Sequence, residues 1–233
     1  MNNLTPQELQ ELTMVQKNNG WELDYLFNGS PIFQCKNLYT FSSDAIALST
    51  FATACDNDKV VDLCAGTGVV GLELAERASA SGVKNIGIDF VELQPEVFAI
   101  LDKNTRINRS GFCLNAYCTS VQEFSQKESN HKKYNTLLCN PPYFKLGSGK
   151  ISQNNAVALS RHELRLTLKE LFASVKLLAK PNAKFFLVHL TSRENEILTL
   201  AKEYGFSLER SKVLSGKLSR TLYFFCVKCN IKT

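Results

Sequence analysis

Residues 140–143 read Asn-Pro-Pro-Tyr, directly after the apolar run 134–139. Proline fixes its own φ and pushes the residue before it out of the helical region, so Asn140 and Pro141 are held extended. Neither Pro141 nor Pro142 has an N–H, so the backbone offers only carbonyls here. The Asn140 side-chain oxygen stands beside them, and the Tyr143 ring follows. Rigid acceptors next to an aromatic ring suit a planar amino group whose nitrogen lone pair is delocalised and poorly nucleophilic. The Asn140 side-chain oxygen and the Pro141 carbonyl, gripping its N–H bonds, would favour pyramidalisation as a new bond forms, and fixed acceptors need no reorganisation. Tyr143 can stack on the planar group, a contact worth about 1–3 kcal/mol per base in single-strand binding.

A second constellation lies upstream. Asp62-Leu63-Cys64-Ala65-Gly66-Thr67-Gly68-Val69-Val70-Gly71 sets Gly66, Gly68 and Gly71 in the G-x-G-x-x-G pattern, between an apolar run and an amphipathic one. Glu92 follows roughly 20 residues on, where an acid receives ribose hydroxyls. Dinucleotides and S-adenosylmethionine can both use such a turn. A pyrophosphate wants positive potential there, and the Asp62 carboxylate opposes it. S-adenosylmethionine carries an ammonium and a sulfonium and no phosphate, so an acid favours it. Together the two constellations imply attack of an exocyclic amino nitrogen on a sulfonium methyl.

The elements that position these residues are legible as strand–helix alternation from residue 59 on. Strands are predicted over 59–64, 83–92, 114–118, 134–139, 183–190, 206–214 and 220–228, with helices over 68–80, 94–109, 167–179 and 192–204. The last two strands leave no room for a helix and form a hairpin. The expected fold is α/β: a doubly wound, Rossmann-like sheet of seven strands, parallel except for one antiparallel strand in the C-terminal hairpin. The fourth strand of that sheet lies beside the first, so Asn140 should face the glycine turn at the topological switch point. Residues 1–58 read as an extension on a domain of 59–233. They hold a helix over 6–17 after Thr5-Pro6, short strands broken at Asn28-Gly29, and a second helix capped by Ser42-Ser43-Asp44.

Composition is that of an ordinary globular protein, 44% hydrophobic and 21% charged, with net charge +5. The mild basicity fits an anionic partner. No run suits a membrane span, and the first residues lack a signal-peptide pattern, so the expected location is cytoplasmic. Eight cysteines are then expected to be reduced. Cys226 and Cys229, three apart on a strand, point to opposite sides and do not make a zinc site. Three scattered histidines do not make one either, and the expected site is metal-free. Leu146-Gly147-Ser148-Gly149-Lys150 lacks the first glycine of a phosphate-binding loop and reads instead as part of a substrate loop over 144–162.

The chain resembles the class I, S-adenosylmethionine-dependent amino-methyltransferases that carry Asn-Pro-Pro-Tyr. Within them it is most similar to bacterial tRNA adenine-N6 methyltransferases of the type acting on valine tRNA. The resemblance rests on residues 41–52 (FSSDAIALSTFA), 91–96 (VELQPE), 140–145 (NPPYFK) and 158–168 (ALSRHELRLTL). It implies methylation of the adenine just 3′ of the anticodon, at position 37, giving S-adenosylhomocysteine as the second product. It implies a tRNA partner engaged through the anticodon loop, acted on by a monomer. Asn140, Pro141, Pro142 and Tyr143 would be catalytic. Asp62, Gly66 and Gly68 would hold the methionine part of the cofactor and Glu92 its ribose, with Asp44, Cys64, Leu93 and Asn140 close by. Ser120 stands where the family usually has an aspartate for the cofactor's adenine; a hydroxyl accepts that bond without charge. Lys145, Lys150, Arg161 and His162 are the candidate RNA contacts. Other acceptors of the same chemistry are a release-factor glutamine amide and adenine in DNA. A non-catalytic RNA-binding scaffold is the reading from another class, and the intact acceptor bracket argues against it.

Overall fold

Alternation of apolar residues along the strands decides which face each side chain joins. Val61, Leu63, Leu137, Cys139, Phe185, Leu187, Tyr223 and Phe225 are buried in one core layer. Val60, Ile88, Phe90, Leu138, Phe186, Val188 and Leu222 are buried in the other. Both faces of the sheet are thus apolar, which is the condition for helices to cover both. The computed structural model describes residues 6–38, 40–109, 111–143, 166–216 and 218–228.

The chain begins with α1 (Pro6–Asn19) and a hairpin of β1 (Glu22–Tyr25) and β2 (Pro31–Gln34). Then come α2 (Ser43–Phe51), β3 (Lys59–Leu63), α3 (Val69–Ala80), β4 (Gly87–Glu92), α4 (Pro95–Ile107), β5 (Cys113–Cys118), α5 (Val121–Gln126) and β6 (Tyr134–Cys139). After them follow α6 (Leu168–Leu178), β7 (Ala179–Leu190), α7 (Glu194–Glu203), β8 (Phe206–Leu214) and β9 (Arg220–Val227). Seven strands form one sheet in the order β5-β4-β3-β6-β7-β9-β8. The pairings are parallel up to β7, and β9 runs antiparallel to both β7 and β8. This is the expected doubly wound sheet with its order reversing between β3 and β6.

Side chains of α5, α6 and α7 fill the first layer, with Val121, Phe124, Leu171, Phe172, Val175, Ile197 and Ala201 all buried. Those of α2, α3 and α4 fill the second, among them Leu48, Leu72, Ala75 and Leu101. Each buried Leu, Val or Phe contributes about 1.5–3 kcal/mol. The N-terminal hairpin is tied to the sheet domain by buried amides: Asn108 Nδ2 donates to Pro31 O at 2.9 Å, and Asn104 does more. Asn104 Oδ1 accepts from Phe33 N at 2.7 Å, and its Nδ2 donates to Phe33 O and to Thr67 O, both at 2.9 Å. The hairpin therefore braces the glycine turn.

Three elements differ from the expectation. Strand β4 starts at Gly87 rather than at residue 83, because the chain leaves α3 through left-handed Gly82 and Asn85 (φ 86° and 60°). Strand β7 starts at Ala179 rather than 183: Ala179 pairs with Tyr134, then left-handed Asn182 shifts the register before Lys184 meets Thr136. Helix α5 is additional to the expected helices. It opens on a capping box in which Glu123 N donates to Ser120 Oγ at 3.1 Å while the Glu123 side chain accepts from Ser120 N. Cys229 lies outside the described residues; Cys35, Cys55, Cys64, Cys113, Cys118 and Cys139 are free thiols.

Candidate active site

The carboxyl ends of β3, β4 and β6 meet where the strand order reverses, and the predicted cofactor and acceptor residues leave from there. Leu63 on β3 is in register with Cys139 on β6, and Val91 on β4 with Leu63. The turn after β3 leaves the strand through Cys64, a non-glycine at φ 58°, and continues through Gly66 and Gly68 at φ 58° and 91°. Left-handed glycines cost little; a left-handed cysteine is strained by about 1–2 kcal/mol, as strained backbone at a ligand-binding turn often is. Gly71 is required for a different reason. A Cβ there would lie 2.5 Å from Phe90 Cε1, so only glycine lets α3 pack this closely on β4.

Two acids flank this turn. Asp62 Oδ2 accepts from Gly71 N at 2.9 Å, and Oδ1 is buried with no partner among the described residues. Burial pushes the Asp62 carboxyl up from 3.8 to about 8; the Gly71 N–H works against that and the Glu92 charge adds to it. An orphaned, buried acid oxygen at the glycine turn is what an ammonium-bearing ligand would satisfy. Glu92 is already in position: Oε2 accepts from Gly66 N at 2.9 Å and Oε1 from Gln94 N at 2.8 Å. Burial raises its pKa, while N–H bonds from Gln94, Gly66 and Leu93 lower it. With three N–H donors on its four lone-pair sites, the carboxylate keeps one lone pair for a ribose hydroxyl.

Ser120 sits one step beyond the β4–β5 ladder, since Thr119 N donates to Glu92 O at 3.0 Å. Its hydroxyl accepts the α5 capping bond and also bonds the Glu123 carboxylate, which leaves one lone pair for a ligand.

The acceptor bracket forms a second cluster beside the first. Pro141 is buried, and Asn140, Pro142 and Tyr143 are partly exposed. Tyr143 Oη donates to Asn140 Oδ1 at 2.6 Å and lies 3.3 Å from Asp44 Oδ2. Asp44, in the first turn of α2, is buried, and Arg220 Nε stands 2.6 Å from Asp44 Oδ2 in an ion pair not aligned as a hydrogen bond. The Arg220 guanidinium also lies over the Tyr143 ring, 5.4 Å from its centroid. His189 meets that ring edge-on at 5.3 Å. Burial, with the Arg193 charge, pushes the His189 imidazole down to about 3, so it stays neutral. Arg193, in a bidentate pair with Glu196, donates to Tyr143 O at 3.4 Å.

The structure therefore brings Asp62, Gly66 and Glu92 together, and Asp44, Asn140 and Tyr143 together, at one sheet edge. Lys145, Lys150, Arg161 and His162 lie outside the described residues. Sequence reasoning missed Arg220, His189 and Arg193 as parts of the bracket. Arg220 opens β9, the strand running against the others, so it reaches the carboxyl edge from the far end of the chain. No local signal marks it.

This sheet order, with an acid-flanked glycine turn at its switch point and Asn-Pro-Pro-Tyr directly after the neighbouring strand, defines a class I methyltransferase. Solved structures with this fold include TYW2 of Pyrococcus horikoshii in complex with MeSAdo (TM-score 0.59, 15% identity, 90% of this chain and 72% of that one). Another is TrmN from Thermus thermophilus (TM-score 0.54, 16% identity, 78% and 48%). The family model described as Conserved hypothetical protein 95 matches residues 45–181. The tRNA1(Val) (adenine(37)-N6)-methyltransferase of Shewanella sediminis is 31% identical over 175 residues, covering 74% of this chain and 67% of the relative. The Bacteroides fragilis protein of that name is 28% identical over 199 residues, covering 80% and 78%. The chain belongs to the Conserved hypothetical protein 95 family and, within the methyltransferases, to the family of tRNA1(Val) (adenine(37)-N6)-methyltransferases.

Proposed function

We propose that this protein methylates N6 of adenine 37 in valine tRNA, using S-adenosylmethionine. The observation that carries the reading is the placement of the Asn140 acceptor just past the end of β6, whose Cys139 is in register with Leu63 before the acid-flanked glycine turn of β3. When bound, S-adenosylmethionine supplies an electrophilic methyl on a sulfonium. Asp62 would take the ammonium through its unpartnered Oδ1, and Glu92 the ribose hydroxyls, with Cys64, Gly66, Gly68, Leu93 and Ser120 around them. Gly66 N–H and Gln94 N–H hold Glu92 in place before any ligand arrives.

Asn140 Oδ1 and the Pro141 carbonyl would accept the two N–H bonds of the target amine, and Pro142 stiffens that arrangement. Asn140 has no titratable proton, so it localises the nitrogen lone pair without removing a proton; the surplus proton leaves to water after transfer. Tyr143 would stack on the adenine. Reaching an adenine amino group needs an unpaired or extruded base, which suits an anticodon loop. The net charge of +5 suits RNA, and among the described residues no helix is long and apolar enough to cross a membrane. In this reading residues 59–233 are the methyltransferase domain, 1–58 an N-terminal extension, and the protein works as a cytoplasmic monomer without a metal. The RNA contacts proposed are Lys145, Lys150, Arg161 and His162.

The test offers methyl-labelled S-adenosylmethionine with unmodified tRNA, release factor and duplex DNA in parallel, then digests the products. Label in N6-methyladenosine from tRNA is the expected result. Label in glutamine or in DNA would replace the substrate.

A further inference from the structure

The sheet ends at β8, and one face of that edge carries cations. Arg210 and Lys212 are in register with Phe224 and Leu222 of β9, and Leu214 with Arg220. Leu222 and Phe224 belong to the layer that α2 covers, so alternation puts Arg210, Lys212 and Leu214 on that face too. Between β8 and α2 lies an open groove of about 450 Å³, lined among others by Ala47, Thr50, Phe51, Arg210, Lys212 and Leu222. Among the described residues no carboxylate lines it. Arg210 is fixed in place: its guanidinium lies over the Phe51 ring, 4.2 Å from the centroid, and donates to Phe51 O at 2.9 Å. Most of its N–H donors remain for a ligand. Lys212 is exposed and makes no ion pair among the described residues.

The groove leads to the acceptor bracket. Helix α2 runs from Asp44 in its first turn to Phe51 at its end, and Asp44 is held to β9 by Arg220 at 2.6 Å. Along the strands Arg210, Lys212 and then the Leu214–Arg220 pair follow at steps of about 7 Å. This row of cations, on the order of 13 Å long, suits an extended polyanion with one end at the bracket. A strand from another sheet is a poor occupant. The β8 register slips between Leu208 and Arg210, and charged side chains stand on the edge, both of which oppose edge-to-edge pairing.

We propose that this groove carries the sugar–phosphate backbone of the RNA strand next to the target adenine, with Arg210 and Lys212 on successive phosphates. This deepens the tRNA-methylation reading above and rests on it.

The test measures binding of an unmodified valine tRNA transcript, over a range of salt concentrations, to wild type, Lys212→Gln and Lys212→Glu. The control is Lys202→Gln, on α7, which covers the other face of the sheet. Lys212→Gln should weaken binding about three- to tenfold and flatten the slope of log affinity against log salt by about 0.7, the share of one phosphate contact on a single strand. Lys212→Glu should lose more, and Lys202→Gln should change neither quantity. In turnover the Lys212 loss should fall on KM for tRNA. An unchanged salt slope in both Lys212 variants would overturn the proposal. So would an equal loss from Lys202→Gln, which would make net charge alone responsible, or a dimer of the chain that Lys212→Glu dissolves while tRNA affinity stays the same. If wild type binds the transcript with the expected slopes yet transfers no methyl, the methylation reading fails and the groove stands as an RNA site; if wild type binds no tRNA, both fail.

Discussion

Replacing Asp62 by Asn should stabilise the ligand-free protein while weakening its hold on the cofactor. The carboxyl is buried and its pKa is pushed up from 3.8 to about 8. Each tenfold change in proton affinity is worth about 1.36 kcal/mol between the two protonation states. At pH 7 the part that counts is 7 − 3.8, so keeping this group in the fold costs about 4 kcal/mol relative to an unfolded chain that ionises it freely. Asparagine keeps an oxygen for the Gly71 N–H and removes the charge, but buries an amide NH2 whose missing partner costs about 1–3 kcal/mol. The net gain is about 2 kcal/mol, or roughly 4–8 °C in midpoint for a chain of this length. The sign follows from the raised pKa: the stability is fully present below about pH 4 and lost as pH rises towards 8. The gap between variant and wild type should therefore open across that window and stay constant above it. Thermal unfolding of both proteins across that range is the assay, with cofactor affinity falling by roughly ten- to a hundredfold, as for loss of a charged hydrogen bond. A gap independent of pH, or a variant less stable than wild type throughout, would refute the reasoning.

Asn140→Ala should lower methyl transfer about a hundredfold or more, as removal of one preorganised polar group does, while calorimetry shows cofactor binding intact; normal turnover would sink the bracket. Glu92→Ala should act in the opposite way, weakening cofactor binding by at least about tenfold, and unchanged affinity would mean the ribose acid is elsewhere. Gly71→Ala should cost about 1–3 kcal/mol in denaturant unfolding, because its Cβ would fall 2.5 Å from Phe90 Cε1 and 3.2 Å from Asp62 Oδ2.

Strand order and the switch point were legible because the apolar runs after residue 59 alternate with amphipathic segments and end in a pair too close for a helix. Asp62, Glu92 and Asn140 were legible because each stands at a strand end, where chain position already fixes place in the fold. Ser120 was read for its hydroxyl alone, yet Ser120-x-x-Glu123 is also a helix-start pattern, and the hydroxyl serves that helix. The start of β7 was hidden by Pro181 and Asn182, which read as a turn but form an irregularity inside the strand. The Arg220–Asp44 pair joins the two ends of the chain through tertiary packing, and nothing in the local sequence at either residue encodes it.

The most direct test uses two valine tRNA transcripts, one natural in sequence and one with adenine 37 replaced by guanosine, each incubated with the protein and labelled S-adenosylmethionine. The account predicts N6-methyladenosine in the anticodon-loop fragment of the first transcript and no label in the second. Equal label in both transcripts, or none in either while the cofactor binds, would contradict it.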